Sequence, residues 1–178
     1  MESDRGPGTA FEDFVQARSA ALFRTALLLA GQDRAAAEDL LQICLERAYR
    51  HWNRIARTSD DPERYTRRIL VNAANDRWRW LGRRREQSLS AAGGAEAVPD
   101  RTAEVADRDV LLRALAALPQ RQRTVLVLRY FDDLEDGEIA AVFGCSPGTV
   151  RSHISRGLAR LRQAMAENSA GRQEGARR

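Results

Sequence analysis

The chain has 178 residues, of which 43% are apolar and 30% are charged, and this suits one medium domain or two small ones. All 29 basic residues are arginine and the formal net charge is +4, which alone is weak evidence for a nucleic-acid partner. The first ten residues lack a signal-peptide pattern, and no apolar run is long enough to cross a membrane. We therefore expect a cytoplasmic protein with no membrane insertion.

The two cysteines, Cys44 and Cys145, lie far apart and belong to no CxxC or Cys/His cluster. This pattern argues against a disulfide framework and a zinc site, so we expect two small apolar side chains. We find no Ser/His/Asp set and no glycine-rich phosphate loop. The sequence therefore predicts no catalytic residue, no metal and no cofactor, and an enzyme is the least favoured class.

The N-terminal part predicts helices from its first capping signal onward. Thr9 and Glu12 form a capping-box pattern, and the first helix ends near Gly31. The second helix is expected from about residue 34 to residue 52. Its inner apolar stripe comprises Ala37, Leu40, Leu41, Cys44, Ala48 and Trp52.

A polar stretch separates the second helix from a long basic one. Residues 53–61 lack a helical apolar stripe, so we expect a loop there. Asp61 caps the third helix, which begins at Pro62 and runs to about Arg85. Residues 62–85 hold eight arginines and two acids, a density that suits a DNA backbone.

Residues 86–107 are rich in Ser, Ala, Gly and acids, which is typical of a linker. No strand pattern or internal repeat stands out. The predicted fold class is therefore all-α, with two small helical domains joined by a flexible linker. The expected divisions are a disordered N-terminus at 1–9, a first domain at 10–85, the linker at 86–107, a second domain at 108–166 and a disordered tail at 167–178.

The second domain predicts four helices, and the last two form a helix-turn-helix. Gly144 can take the left-handed conformation that ends a helix, and Ser146 followed by Pro147 can begin the next. This geometry is used to read duplex DNA. Residues that can share its core are Ile139, Phe143, Val150, Ile154 and Leu158, while the earlier helix places Val125, Leu126, Leu128 and Tyr130 on or near its core side.

The outer face of the last helix has polar and basic chemistry. Residues 146–162 contain four arginines and no acid. Arginine can read guanine bidentately, whereas Ser and Thr mostly fix the DNA backbone. An ordinary helical hairpin with a solvated basic face is the alternative, and a lone histidine is weak evidence for either. The predicted DNA contacts are Thr149, Arg151, Ser152, His153, Ser155 and Arg156.

Three blocks in order carry a family resemblance. Residues 37–50 and 65–76 look like region 2 of the extracytoplasmic-function sigma factors of the sigma-70 superfamily, and residues 118–161 resemble region 4. The resemblance covers nearly all of residues 10–165 and is nearest to the actinobacterial SigE-like branch. It implies a protein that binds core RNA polymerase and promoter DNA. Anti-sigma factors are common partners in this family, although no residue here identifies one.

The resemblance also assigns roles to residues. Asp39 and Gln42, with Glu46 on the same face, match the surface that docks on polymerase, although an isolated face of this kind is usually only solvated. Asn72 matches the asparagine that helps hold a flipped base of the −10 element. The implied −10 contacts are Arg68, Asn72, Asn75, Arg77 and Trp78. Tyr65 and Trp80 are further aromatics that could stack on bases, but a place in the core is at least as expected for them.

Two departures qualify the resemblance. Residues 54–60 lack the aromatic and glycine pattern of better-known members, so the −10 preference stays open, as does a polymerase-binding protein without promoter activity. Before Ile139 the usual Ser or Thr cap is missing, and Asp136 is the substitute we expect. The acidic run 132–138 should repel DNA, so we expect it to face polymerase or solvent. A conventional repressor or activator with the same helix-turn-helix remains the main competing function.

Overall fold

The computed structural model describes residues 7–58, 61–87 and 103–175, and every regular element within them is an α-helix. The helices are α1 Pro7–Leu29, α2 Arg34–Arg50, α3 Trp52–Thr58, α4 Pro62–Gln87, α5 Ala103–Ala117, α6 Gln120–Tyr130, α7 Asp136–Phe143 and α8 Pro147–Gly175. The described residues fall into two compact units, and the short segment Leu28–Asp33 belongs with the second. The all-α class with two helical units is confirmed.

The first unit is built around α2 and α4. Most of the predicted stripe on α2 is buried. Leu40, Cys44 and Ala48 are fully inaccessible to solvent, whereas Leu41 is only half-buried. The Cys44 thiol donates to the Thr66 carbonyl oxygen of α4 at 3.3 Å. Burial raises the pKa of this thiol to about 12, so it stays neutral and acts as a small apolar side chain. Cys145, in the second unit, is only half-buried.

The prediction of a loop after α2 is wrong, because residues 52–58 form the short helix α3. Trp52 and Ile55 are three residues apart, which places both on one helical face, and they are 6% and 1% exposed. Burial of these two side chains explains why a polar segment becomes helical here. Residues 59 and 60 lie outside the described residues.

The predicted helix ends also need correction at both termini. Helix α1 begins at Pro7, because proline is well tolerated at the first position of a helix. Thr9 therefore lies inside the first turn and not at the expected cap position. Helix α8 continues to Gly175, where we expected an end near Met165 and then disorder. Six of the ten residues from 166 to 175 are Ala, Gln, Glu or Arg, which are good helix formers, although two of the others are glycines. Helices α4 and α5 likewise reach into the expected linker, of which residues 88–102 lie outside the described part.

The second unit is built around α6. Residues 122–128 of this helix are all buried, and Val127 and Leu128 are fully so. Helix α8 passes close to it, because a Cβ added at Gly157 would lie 2.9 Å from Leu126 Cδ1. The side of α8 that faces α6 is therefore committed to packing. The opposite side, near the helix start, is free to contact a ligand.

Candidate nucleic-acid interface and docking surfaces

The helix-turn-helix is formed by α7 and α8. Gly144 ends α7 with φ +62°, in the left-handed region, and its N–H donates to the Ala140 carbonyl oxygen. Ser146 caps α8, since its Oγ accepts the Thr149 N–H at 3.2 Å. Both predicted signals are confirmed. The start of α7 differs from the expectation: Glu135 occupies the cap position, and its N–H donates to Glu138 Oε2 at 2.8 Å.

Gly144→Ala is expected to lower the free energy of unfolding of the second unit by about 1–2 kcal/mol, because a side chain is strained in the left-handed region. Urea denaturation followed by circular dichroism would measure it. Gly148→Ala is the matched control, since it adds the same methyl in ordinary helix geometry with only Ser146 Oγ nearby at 3.7 Å. Equal effects of the two substitutions would contradict the role of Gly144.

Five of the six predicted DNA-reading residues are exposed on the first turns of α8. Three of them already bond locally. The Thr149 and Ser146 hydroxyls lie 3.0 Å apart, and Ser152 Oγ donates to the Gly148 carbonyl oxygen at 3.0 Å. Arg156 Nε donates to the Ser152 carbonyl oxygen at 3.1 Å. Arg151 also lies near the start of α8, with 69% of its side chain accessible.

His153 differs from the other five because it is half-buried. Its Nδ1 has no hydrogen-bond partner among the described residues. Burial, followed by the charges of Arg156 and Arg121, lowers the pKa of the imidazole below its usual value. His153 is therefore neutral at pH 7, and it would contact DNA as a hydrogen-bonding group without a charge.

The acidic run before α7 is largely engaged within the chain. Glu135 forms an ion pair with Arg129 at 3.3 Å. Asp132 is 7% exposed. Asp136 lies 3.8 Å from the guanidinium of Arg151. We expected the run to face polymerase or solvent. Asp133 and Glu135 are exposed, but Asp132 is buried and the Asp136 carboxylate lies beside the reading helix.

The predicted −10 contacts lie along α4. Arg68 and Asn72 are exposed, and Asn75, Arg77 and Trp78 are half-buried. The two further aromatics behave differently. Trp80 is 50% exposed, so its alternative place in the core is wrong. Tyr65 does pack against the core cluster of Ala48, Trp52 and Ile55, and its hydroxyl accepts from Arg54 at 2.9 Å.

The predicted docking residues lie on the exposed side of α2. Asp39 pairs with Arg77 of α4 at 3.4 Å and keeps 61% of its side chain accessible. Gln42 Nε2 donates to Glu46 Oε1 at 3.4 Å. Beside them is an open groove of about 550 Å³, which we call the α2 groove. Its lining residues are Phe11, Glu38, Leu41, Gln42, Leu45, Glu46 and Tyr49.

Sequence reasoning missed the apolar part of the α2 groove. Leu41, which we expected in the inner stripe, is half-buried and lines this groove. It is spaced by four residues from Leu45, and Leu45 by four from Tyr49, so the three share one helical face. Tyr49 is 62% exposed, which is unusual for a large aromatic. The spacing was the available signal, but it was overshadowed by the stronger stripe on the inner face.

A second apolar groove lies within the second unit, and we call it the α5–α8 groove. It has a volume of about 310 Å³. Tyr130 and Phe131, which line this groove, are 59% and 56% exposed. The expectation that Tyr130 lies on or near the core side of α6 is therefore wrong. The lining residues are Leu111, Leu112, Leu115, Leu126, Tyr130, Phe131, Leu158 and Leu161.

No helix in the described ranges is both long and apolar enough to cross a membrane. Within those same ranges, no three acidic, histidine or cysteine side chains are grouped so that they could hold a metal ion.

Comparison with known proteins matches both units. The family model described as sigma-70 region 2 matches residues 14–84, and that of sigma-70 region 4 matches residues 108–161. The chain is 39% identical to the RNA polymerase sigma-E factor of Streptomyces avermitilis over 155 residues, which cover 86% of this chain and 83% of the relative. It is 30% identical to the ECF RNA polymerase sigma factor SigL of Mycobacterium tuberculosis, covering 84% of this chain and 85% of that protein.

A solved structure shares the fold. The sigma factor RpoE of Bartonella quintana, crystallised with the anti-sigma factor NepR, superimposes with a TM-score of 0.73 at 24% identity. The match covers 88% of this chain and 97% of that one.

Proposed function

Since the chain belongs to the sigma-70 family of RNA polymerase sigma factors, in its extracytoplasmic-function branch, we propose how its two units share promoter recognition. The first, within residues 10–85, docks on core polymerase and holds the −10 element. The second, within residues 108–166, binds the −35 element. The observation that carries this division is the match of the region 2 and region 4 models, in order, to the two helical units.

The protein acts in the cytoplasm, where core polymerase is found, and contributes no catalysis of its own. Its residues bind and position, and the polymerase supplies the chemistry. Two binding modules on one chain raise each other's effective concentration, so each contact can be weak by itself.

The polymerase contact is assigned to Asp39, Gln42 and Glu46 together with the adjoining α2 groove. A protein interface needs an apolar centre with a polar rim, and the α2 groove has both. Tyr49 and Leu45 supply apolar area, while Gln42 and Glu46 supply hydrogen-bonding groups at the edge.

Gln42→Ala is expected to weaken binding of the full chain to core polymerase by roughly 3–10-fold, the worth of about one hydrogen bond. Competition between wild type and variant for core polymerase would measure it. Gln163→Ala is the matched control, because Gln163 on α8 donates to Glu167 just as Gln42 donates to Glu46. A similar loss with Gln163→Ala, or none with Gln42→Ala, would contradict the docking assignment.

The −10 contact is assigned to the exposed side of α4. Its arginines attract the DNA backbone, and Asn72 and Trp80 are accessible to a base taken out of the stack. Taking out a base costs a few kcal/mol, which aromatic stacking offsets in part.

Trp80→Ala is expected to weaken promoter opening by about 1 kcal/mol, roughly fivefold, through the loss of one stacking contact. Permanganate reactivity of unpaired thymines in the polymerase complex would report opening. Trp80→Phe keeps a stacking ring and should retain most of the activity. If Trp80→Ala opens the promoter as wild type does, Trp80 has no part in base capture.

An anti-sigma partner fits the two apolar grooves. The sigma factor RpoE of Bartonella quintana was crystallised with an anti-sigma factor, NepR, and CnrH was solved in complex with the cytosolic domain of CnrY. We include a protein of this class among the partners of this chain. The α5–α8 groove, with Tyr130 and Phe131 at its edge, offers a second apolar surface for such contacts.

Run-off transcription with core polymerase tests the whole proposal. The expected result is initiation from a set of promoters that core polymerase alone does not use. No stimulation at any promoter of the source genome would overturn it. A conventional regulator, the competing function, would instead bind its site tightly as a free dimer. A monomer that binds weakly when free, and whose promoter binding is strengthened by polymerase, excludes that function.

A further inference from the structure

The helix-turn-helix contains an ion pair between its two helices. Asp136 Oδ2 of α7 lies 3.8 Å from Arg151 Nη1 of α8. The Asp136 side chain is 26% exposed and the Arg151 side chain 69%, so the arginine remains accessible while the acid is partly enclosed. A partly exposed ion pair of this kind contributes little to stability. The ion pair matters because it restricts the position of the Arg151 guanidinium.

Asp136 also stands at a place where DNA-binding helices often attract phosphate. It is the first residue of α7, and the N-terminus of a helix carries a partial positive charge that binds anions. A carboxylate in this position satisfies that charge and repels a DNA phosphate. Asp136 is therefore expected to lower affinity for any duplex, whatever its sequence.

We propose that Asp136 is a specificity-determining positioning residue for −35 recognition. Its carboxylate restrains the Arg151 guanidinium so that the guanidinium N–H groups meet a base edge. The same carboxylate disfavours the alternative in which Arg151 binds the DNA backbone. Base contacts carry sequence information, whereas phosphate contacts do not. The carboxylate thus lowers general affinity and increases selectivity. This inference rests on the proposed −35 role of the second unit.

Asp136→Asn in the full chain tests the inference with two DNA probes. One is a duplex library randomised over the upstream promoter block, from which preferred sequences are selected and counted. The other is a duplex of random sequence. The expected result is roughly 3–10-fold tighter binding to the random duplex, with a loss of ~5–20-fold in preference for the base that Arg151 reads.

Asp133→Asn is the matched control. Asp133 is an exposed acid in the same run, and asparagine tolerates its positive φ of 52° as well as aspartate does. It removes the same charge away from Arg151. Asp136→Glu keeps the carboxylate and should restore most of the selectivity. Thermal unfolding of each variant confirms that the fold is retained.

The outcomes separate this inference from the proposed function. Selectivity lost in Arg151→Ala but intact in Asp136→Asn overturns the inference and leaves the −35 assignment standing. Selectivity intact in both overturns the role of Arg151 as well. If Asp133→Asn and Asp136→Asn change affinity and selectivity equally, the effect comes from the loss of one negative charge anywhere in the run, and the inference is also overturned. Support requires that Asp136→Asn has no further effect on selectivity when Arg151 is already alanine.

Discussion

Replacing Ile139 by alanine is expected to lower the free energy of unfolding of the second unit by about 2–5 kcal/mol. Ile139 lies on α7 with none of its surface exposed, and Val150 of α8 is equally buried. Removing three carbons leaves a cavity that the surrounding helices fill only in part, so the cost exceeds the loss of apolar transfer energy alone. Urea denaturation followed by circular dichroism would measure the change.

Ile139→Val is the graded control, because it removes one carbon and should cost about 0.5–1.5 kcal/mol. Binding to −35 DNA should fall with Ile139→Ala in proportion to the unfolded fraction and recover at lower temperature. A full-length variant that unfolds like wild type would show that Ile139 lies outside the packed core. A folded variant that has lost DNA binding would show instead that α7 positions α8 more sensitively than its stability indicates.

The helix-turn-helix could be predicted from the sequence because its signals are local. Gly144 ends one helix by its own backbone freedom, and Ser146 begins the next through a bond to an N–H three residues away. Asp61 does the same for α4, accepting the Arg64 N–H at 3.0 Å. These interactions need no knowledge of the rest of the fold, so pattern reasoning is sufficient.

The errors fall where distant contacts decide. Residues 53–58 look polar, yet they are helical because Trp52 and Ile55 are buried in the first unit. Tyr130 follows the apolar pattern of α6 but lies at its exposed end, beside the α5–α8 groove. A periodic pattern identifies a face, but whether the last member of that face is covered depends on neighbouring helices.

For the candidate sites, the family resemblance assigns a role to each residue but does not identify the side chains that it contacts within the chain. Asp39 and Arg77 were assigned to separate surfaces, yet they form an ion pair across α2 and α4. Asp136 was treated as a helix cap, yet it stands beside Arg151. Both pairs join residues from different helices, and no spacing rule connects them. Such contacts decide how a predicted site residue behaves before its ligand arrives.

Arg151→Ala is expected to weaken binding to −35 DNA by roughly 1–3 kcal/mol, about 5–150-fold, and to relax the preference at one base position. The reason is that a bidentate contact to guanine is lost, and 69% of the Arg151 side chain is accessible for such a contact. Fluorescence anisotropy with the selected duplex and with single-base variants of it would measure both effects.

Arg162→Ala is the matched control for charge, since Arg162 is exposed on the same helix three turns further along. It should weaken binding to all duplexes slightly and equally, because a distant cation acts through the general field of the protein. Arg151→Ala should therefore cause a larger loss of affinity than Arg162→Ala and, unlike it, should change the base preference. If the two variants lose affinity alike, with the base preference unchanged, Arg151 contacts phosphate and the sequence is read by other residues of α8.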